Sequence, residues 1–395
     1  MTELGNDQQT VLVRVTGRDH PGITAGLLEV LSAADADVHD IEQIVIRNRI
    51  TLGMAVEVPR GHDLLKEVLL WGWQENLDVD FDVVSNTATP RSSGHVVTLL
   101  GPDLDPKELA DATRAVADAG ANIDRIFRLS SYPVMSYELL VRGGDEAKLR
   151  ANLLGAAAGH PGLDIAIQRE GLGRRAKRLV VLDVDSTLIQ NEMIDLLAAE
   201  ADCLPEVQTL TSAAMEGRLD FETSLRRRVR LLAGLDEAAV ERAWANLHYT
   251  PGARTFTRTL RRLGYGVAIV SGGFTAFTDR IRDDLGIDVA HANELEIVDG
   301  LFSGELVGPV VDRERKAALL IEIAEHAGVP LEQTVAVGDG ANDLDMLNAA
   351  GLGIAFNAKP VVEAAADTAL SVPYLDAILF VLGIRREDVE AADAP

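Results

Sequence analysis

The chain has 395 residues, 47% of them apolar, and a formal net charge of −25, which is room for two or three domains of ordinary globular composition. So large an acidic excess argues against a nucleic-acid footprint and against anionic membranes, and it requires any anion site to be locally basic or to contain a metal. No apolar run reaches membrane-spanning length, the polar N-terminus has no signal-like core, and the single Cys203 allows no intrachain disulfide and reads as a small packed residue in a reducing, cytoplasmic setting.

In chain order, residues 11–17 read as a strand and turn, 23–34 as a helix, and a second extended stretch opens at Val38. More strand is expected over 51–58, a second helix over 63–76 and a closing strand over 79–84. The same order recurs: strand 96–101, helix 106–119, extended 121–124, strand 137–141, helix 145–158, strand 163–168. Two successive β-α-β-β-α-β units predict two ferredoxin-like α+β domains. Residues 86–94, rich in Thr, Ser, Pro and Gly, read as a linker, and 171–175 as the boundary to a third domain.

The first unit's Gly17-Arg18-Asp19-His20-Pro21-Gly22-Ile23-Thr24 resembles the opening of an ACT domain, a small amino-acid-sensing module. The second unit keeps Gly101 and Asp103 and lacks the His-Pro-Gly step. The resemblance implies ACT-like domains over 9–86 and 94–170. It offers Gly17, Asp19 and Gly101 as contacts for an amino-acid effector such as serine. The other role such domains allow is assembly of a homodimer or higher homo-oligomer through sheet edges or helices.

From residue 179 buried strands alternate with helices: 179–183, 266–272, 288–290, 334–339 and 353–356. That pattern predicts an α/β domain with a doubly wound parallel sheet. The mostly helical stretch 192–246 is too long for an ordinary strand–helix connection and reads as a helical cap, about 190–250, over the site.

The first of these strands ends in Asp183-Val184-Asp185-Ser186-Thr187. It delivers two carboxylates and two hydroxyls to the edge where open α/β sheets bind ligands. Asp183 and Asp185 start on one face, and close carboxylates need a cation or different protonation states. Ser271-Gly272-Gly273-Phe274 follows the second strand, where backbone N–H groups and a hydroxyl make an anion cradle. Gly338-Asp339-Gly340-Ala341-Asn342-Asp343 follows a later strand, and Lys316 lies between the two.

In this order the motifs resemble the haloacid dehalogenase superfamily and, over residues 178–385, its phosphoserine phosphatases. The resemblance implies a catalytic core at 177–385. Asp183 would be a nucleophile that forms an acyl-phosphate, and Asp185 a general acid and then base. Mg²⁺ would be held by Asp183, Asp339 and the backbone carbonyl of Asp185, with Asp343 orienting metal waters or Lys316. Lys316 would offset phosphate charge, while Ser271, Gly272, Gly273 and Asn342 bind phosphate or substrate. Glu192, nine residues after Asp183, would meet an ammonium group. Matching from Phe221 selects Arg228 for a bidentate grip on a carboxylate, with Met215 and Phe221 as an apolar lid.

The expectation is Mg²⁺-dependent hydrolysis of O-phospho-L-serine, the last step of serine biosynthesis. The alternative is a phosphatase for phosphoproteins or another phospho-metabolite. A full catalytic set disfavours a non-catalytic sensor.

Overall fold

Alternation in the first strand already shows which face is covered: Val11, Val13 and Val15 are buried, while Leu12 and Arg14 between them are only partly so. The structure, a computed structural model, describes residues 9–58, 63–84, 94–215 and 218–393. The chain divides into two compact units, Met1–Arg91 and Ser92–Pro395. The linker expected over 86–94 lies outside the described residues except for Gly94.

The first unit has β1 (Gln9–Arg18), β2 (Asp37–Ile46), β3 (Arg49–Val58) and β4 (Asp78–Val84) in one antiparallel sheet, order β2-β3-β1-β4. Helices Ile23–Ala33 and Leu64–Gln74 cover one face. Their Leu27, Leu31, Val68 and Trp71 pack on Val13, Leu52 and Met54. The edge strand β2 is exposed along its whole length.

The second unit begins with the same plan: β5 (Gly94–Gly101), β6 (Ala121–Ser130), β7 (Met135–Gly143) and β8 (Asp164–Arg169), order β6-β7-β5-β8. Helices Pro106–Asp118 and Glu146–Ala158 lie on one face. Here β5 is buried at every position. Val97 and Leu99 meet the helices, while Leu100, with Leu129, Val134 and Ala166, joins the core of the α/β domain. Polar bonds tie the same seam. Asp164 accepts from the Ser371 N–H at 2.7 Å and its hydroxyl at 2.8 Å, and Gln168 donates to the Val381 carbonyl at 2.8 Å. The boundary expected at 171–175 contains a short helix, Leu172–Arg175, whose Arg174 is buried in an ion pair with Glu138. The second ferredoxin-like domain and the α/β domain therefore share one compact unit.

The α/β domain has β9 (Leu179–Leu182), β10 (Gly266–Phe274), β11 (Val289–Val298), β12 (Leu301–Val307), β13 (Thr334–Gly338), β14 (Gly353–Phe356) and β15 (Thr368–Leu370). Their order is β12-β11-β10-β9-β13-β14-β15, parallel except for the β11–β12 hairpin. The doubly wound sheet is as expected; the hairpin and β15 were not anticipated. The hairpin turns at Asp299-Gly300, both with positive φ, 52° and 78°, a favoured two-residue turn.

Helices Met193–Glu200, Leu204–Met215, Phe221–Arg230 and Ala239–Trp244 form the cap. The hairpin braces it, with Gly234 N donating to Phe302 O at 2.8 Å and Phe302 N to Leu235 O at 2.9 Å. The helix Arg386–Asp393 follows, with Val389 buried. Among the described residues no helix is long and apolar enough to cross a membrane.

Candidate active site

Three neighbouring strands, β10, β9 and β13, bring their C-terminal ends together, since Val180 of β9 pairs with Val267 on one side and Val335 on the other. Asp183 leaves β9 with its N–H donating to Val337 O at 2.8 Å, and its side chain is buried. Lys316 lies near the start of helix Arg313–His326, whose N-cap Asp312 accepts from Arg315 N. That placement drives a fully buried ammonium into the site. It donates to Asp183 Oδ1 at 2.6 Å and Asp343 Oδ1 at 2.7 Å. The other oxygen of Asp343 accepts from Gly340 N at 3.0 Å. Asp343 is thus bonded to Lys316 through one oxygen and to the loop backbone through the other.

One cation does not balance this cluster. Burial and the Asp343 charge push the Asp183 carboxyl well above the usual range, and Lys316 only partly opposes them. Burial lowers the Lys316 pKa, but its two carboxylate partners more than reverse that, so the lysine stays charged. Asp339, at the end of β13, accepts from Thr187 Oγ1 at 3.4 Å. Burial, then the charges of Asp343 and Glu192, raises its pKa to about 7. Oxygens of Asp183, Asp339 and Asp343 lie within 4.8 Å of one another. Among the described residues these three carboxylates form a group that could hold a metal ion. A hard, oxygen-only donor set with surplus negative charge suits Mg²⁺.

Asp185 sits two residues on in a different environment. Its Oδ1 accepts from Met193 N at 2.7 Å and its Oδ2 from Ser271 Oγ at 3.1 Å. Burial first, and then the Glu192 charge, lifts its pKa to about 7. Ser271, fully buried, accepts from Gly273 N at 2.8 Å. A Cβ on Gly273 would lie 2.7 Å from Asp185 Oδ2, and one on Gly272 3.2 Å from the Phe221 ring. A side chain at either position would crowd the turn against the acid or the cap.

The cap contributes the rest. Arg228 is buried, its Nε bonded to Ser224 O at 3.4 Å and an Nη to Thr211 Oγ1 at 3.3 Å. Burial lowers its pKa while Glu192, Asp195 and Asp185 oppose the shift. Glu192 Oε1 accepts from Ser186 Oγ at 2.8 Å. Burial, with the Asp195 charge, raises the Glu192 pKa, and the Ser186 hydrogen bond with the Arg228 and Lys316 charges opposes the shift. The Phe221 ring lies over Gly272. Met215 closes the helix Leu204–Met215, but its side chain lies outside the described residues. Asn342 is half-buried beside Gly340.

Asn293 on β11 escaped the sequence reading. It is 2% exposed. Its Nδ2 donates to Gly272 O at 2.8 Å and Gly273 O at 3.3 Å, and its Oδ1 accepts from Val311 N at 2.8 Å. Holding those carbonyls fixes which way the cradle's peptide N–H groups face. It also ties the cradle to the segment that leads into the Lys316 helix.

Over 98% of its length the chain is 53% identical to a phosphoserine phosphatase of Streptomyces coelicolor, covering 95% of that protein. The chain belongs to the phosphoserine phosphatase family. A Mycobacterium tuberculosis phosphoserine phosphatase is 46% identical over 98% of the chain and 96% of its own length. The haloacid dehalogenase-like hydrolase family matches residues 180–348, and the ACT domain family matches 9–83 and again 93–168. A solved phosphoserine phosphatase with an analogue of a phospho-aspartyl intermediate is 45% identical, with TM-score 0.50, over 52% of this chain and 98% of that one.

This phosphoserine phosphatase family member therefore has two ACT domains ahead of its hydrolase domain. In them Gly17 is buried against Leu77 and Gly101 against Leu104. Asp19 is half-buried, its N–H donating to Asn48 O at 3.0 Å.

Proposed function

We propose that this protein hydrolyses O-phospho-L-serine to L-serine and phosphate, the last step of serine biosynthesis, with Mg²⁺ and through a phosphoryl group carried on Asp183. One observation supports this most: the two carboxylates at one strand end have different partners. Asp183 accepts from the buried ammonium of Lys316, while Asp185 accepts from the neutral donors Ser271 Oγ and Met193 N, which suits one to carry negative charge and the other to hold a proton.

An oxygen of Asp183 attacks phosphorus as the bond from phosphorus to the serine oxygen breaks. Protonated Asp185 gives its proton to that leaving oxygen. The Asp185 carboxylate then takes a proton from water. The resulting hydroxyl attacks phosphorus, and the bond to Asp183 breaks to release phosphate. The Ser271–Gly273 turn and Lys316 hold the phosphoryl oxygens throughout. Asp183, Asp339 and the Asp185 carbonyl would hold Mg²⁺, which supplies positive charge against the phosphate.

The cap argues for a free amino acid: Glu192 offers a carboxylate to an ammonium, and Arg228 a guanidinium to a carboxylate. A site lined this way favours a free amino acid over a phosphoserine held in a folded protein, whose amine and carboxyl are tied up in peptide bonds. Comparing kcat/KM for O-phospho-L-serine and for a peptide containing phosphoserine tests the choice. A preference of at least about a hundredfold for the free amino acid fits the loss of two charge-assisted contacts. Equal turnover would transfer the reading to phosphoproteins.

We also propose that the ACT domains bind serine or another amino acid, with Gly17, Asp19 and Gly101 near the ligand, and that they join two or more copies of the chain in the cytoplasm. The exposed edge β2 carries Ile41, Ile44, Val45 and Ile46, and β6 carries Ile126 and Phe127. Unpaired apolar edges of this kind are ordinarily covered. Light scattering with and without serine reads both assembly and its response to the effector.

A further inference from the structure

Ser186 takes no part in the steps above, yet its backbone is unusual. It has φ of 58°, a left-handed conformation that glycine adopts freely and other residues rarely do. Strain of this kind persists where the surroundings demand it, often in functional sites.

The loop it opens is well fixed. Ser186 N donates to Asn191 O at 3.2 Å, Gln190 N to His248 O at 2.8 Å, and His248 N to Asn191 Oδ1 at 2.7 Å. These bonds set the backbone of Glu192 but not its side chain, which has three rotatable bonds. The Ser186 hydroxyl supplies the missing restraint by donating to Glu192 Oε1 at 2.8 Å.

The restraint matters because Arg228 is buried and held by Ser224 O and Thr211 Oγ1. An unrestrained Glu192 side chain would swing toward that fixed cation and cancel the two ends of a zwitterion site. Their mutual field is present, but among the described residues no ion pair joins them.

We propose that Ser186 is a positioning residue for amino-acid specificity. Its hydroxyl pins one oxygen of Glu192, leaving the other for the substrate's ammonium and keeping Arg228 free for its carboxylate. This rests on the phosphoserine reading above.

The test uses the full-length enzyme with Mg²⁺, and Ser186→Ala and Ser186→Gly variants. Each is assayed on O-phospho-L-serine and on its deamino analogue, 3-(phosphonooxy)propanoate. Ser186→Ala removes the hydroxyl and keeps the strained backbone, whereas Ser186→Gly removes both. The expected result is a rise in KM for phosphoserine of about five- to tenfold in both variants. It is borne by KM rather than kcat, and the preference for phosphoserine over the analogue falls by the same factor. Ser186→Gly should lose this preference while melting at or above the wild-type temperature, a combination that a purely structural role would not produce. Wild-type KM and preference in both variants would overturn the proposal, as would an equal loss on both substrates. A wild-type enzyme that does not distinguish the two substrates would overturn the phosphoserine reading itself, and this inference with it.

Discussion

Removing the charge of Lys316 asks what keeps the buried cluster ionised. The ammonium is fully buried and bonded to Asp183 and Asp343 at 2.6 and 2.7 Å. Lys316→Met keeps most of the volume and takes away the one cation these carboxylates share. Removing one partner of a buried ion pair costs about 3–5 kcal/mol, because the charge left behind cannot recover its hydration. For the unit Ser92–Pro395 that is a fall in Tm of roughly 5–8 °C. One carboxylate escapes by binding a proton, and holding that proton costs about 1.4 kcal/mol more for each pH unit above its pKa. The deficit should therefore be larger at pH 8 than at pH 6. Thermal and urea unfolding of wild type and variant at both values, with chelator present, measures it. A deficit below about 1 kcal/mol, or one that shrinks as pH rises, would refute the reasoning.

Asp185→Asn should lower kcat on phosphoserine about 10²- to 10⁴-fold by removing the proton donor; the loss should be smaller for an aryl phosphate, whose leaving group needs no acid, and equal losses on both would deny the acid role. Asn293→Asp replaces the donor to the Gly272 and Gly273 carbonyls with an acceptor, so kcat/KM should fall about tenfold or more, with orthovanadate affinity falling in parallel; unaltered vanadate binding would reduce Asn293 to a packing role. Asp164 has a pKa raised to about 6 by burial, against an ordinary 3.8. Its native state binds the proton more tightly, so its stabilising contribution is complete below about pH 4 and is lost as pH rises through 6. Asp164→Asn can keep the Ser371 contacts, so relative to wild type it should gain about 2–3 kcal/mol between pH 4 and 7 in urea unfolding; parallel pH profiles would contradict this.

The chemistry was legible because it sits where each strand ends. Asp183, Ser271 and Asp339 each follow an apolar run, and parallel strands bring such ends together whatever the intervening sequence does. Glu192 and Arg228 were reached through resemblance, since spacing along the chain does not determine how a helical cap closes. Asn293 carried no signal: an asparagine in a half-exposed strand looks the same whether it faces water or clamps three backbone groups. The left-handed backbone of Ser186 was equally invisible. Two other features had signals that were available. Asp299-Gly300 between alternating stretches marks a hairpin, and the run Val96-Val97-Thr98-Leu99-Leu100 lacks the charged residue that Arg14 places on the outer face of β1. That difference separates a sheet covered on both faces from one covered on one face. It is why the second ferredoxin-like domain shares a core with the hydrolase domain.

Phosphate release from O-phospho-L-serine, with and without Mg²⁺, by wild type and Asp183→Asn tests the central claim most directly. The account predicts release that requires the metal and disappears in the variant. Release that persists in Asp183→Asn would mean that Asp183 does not carry the phosphoryl group.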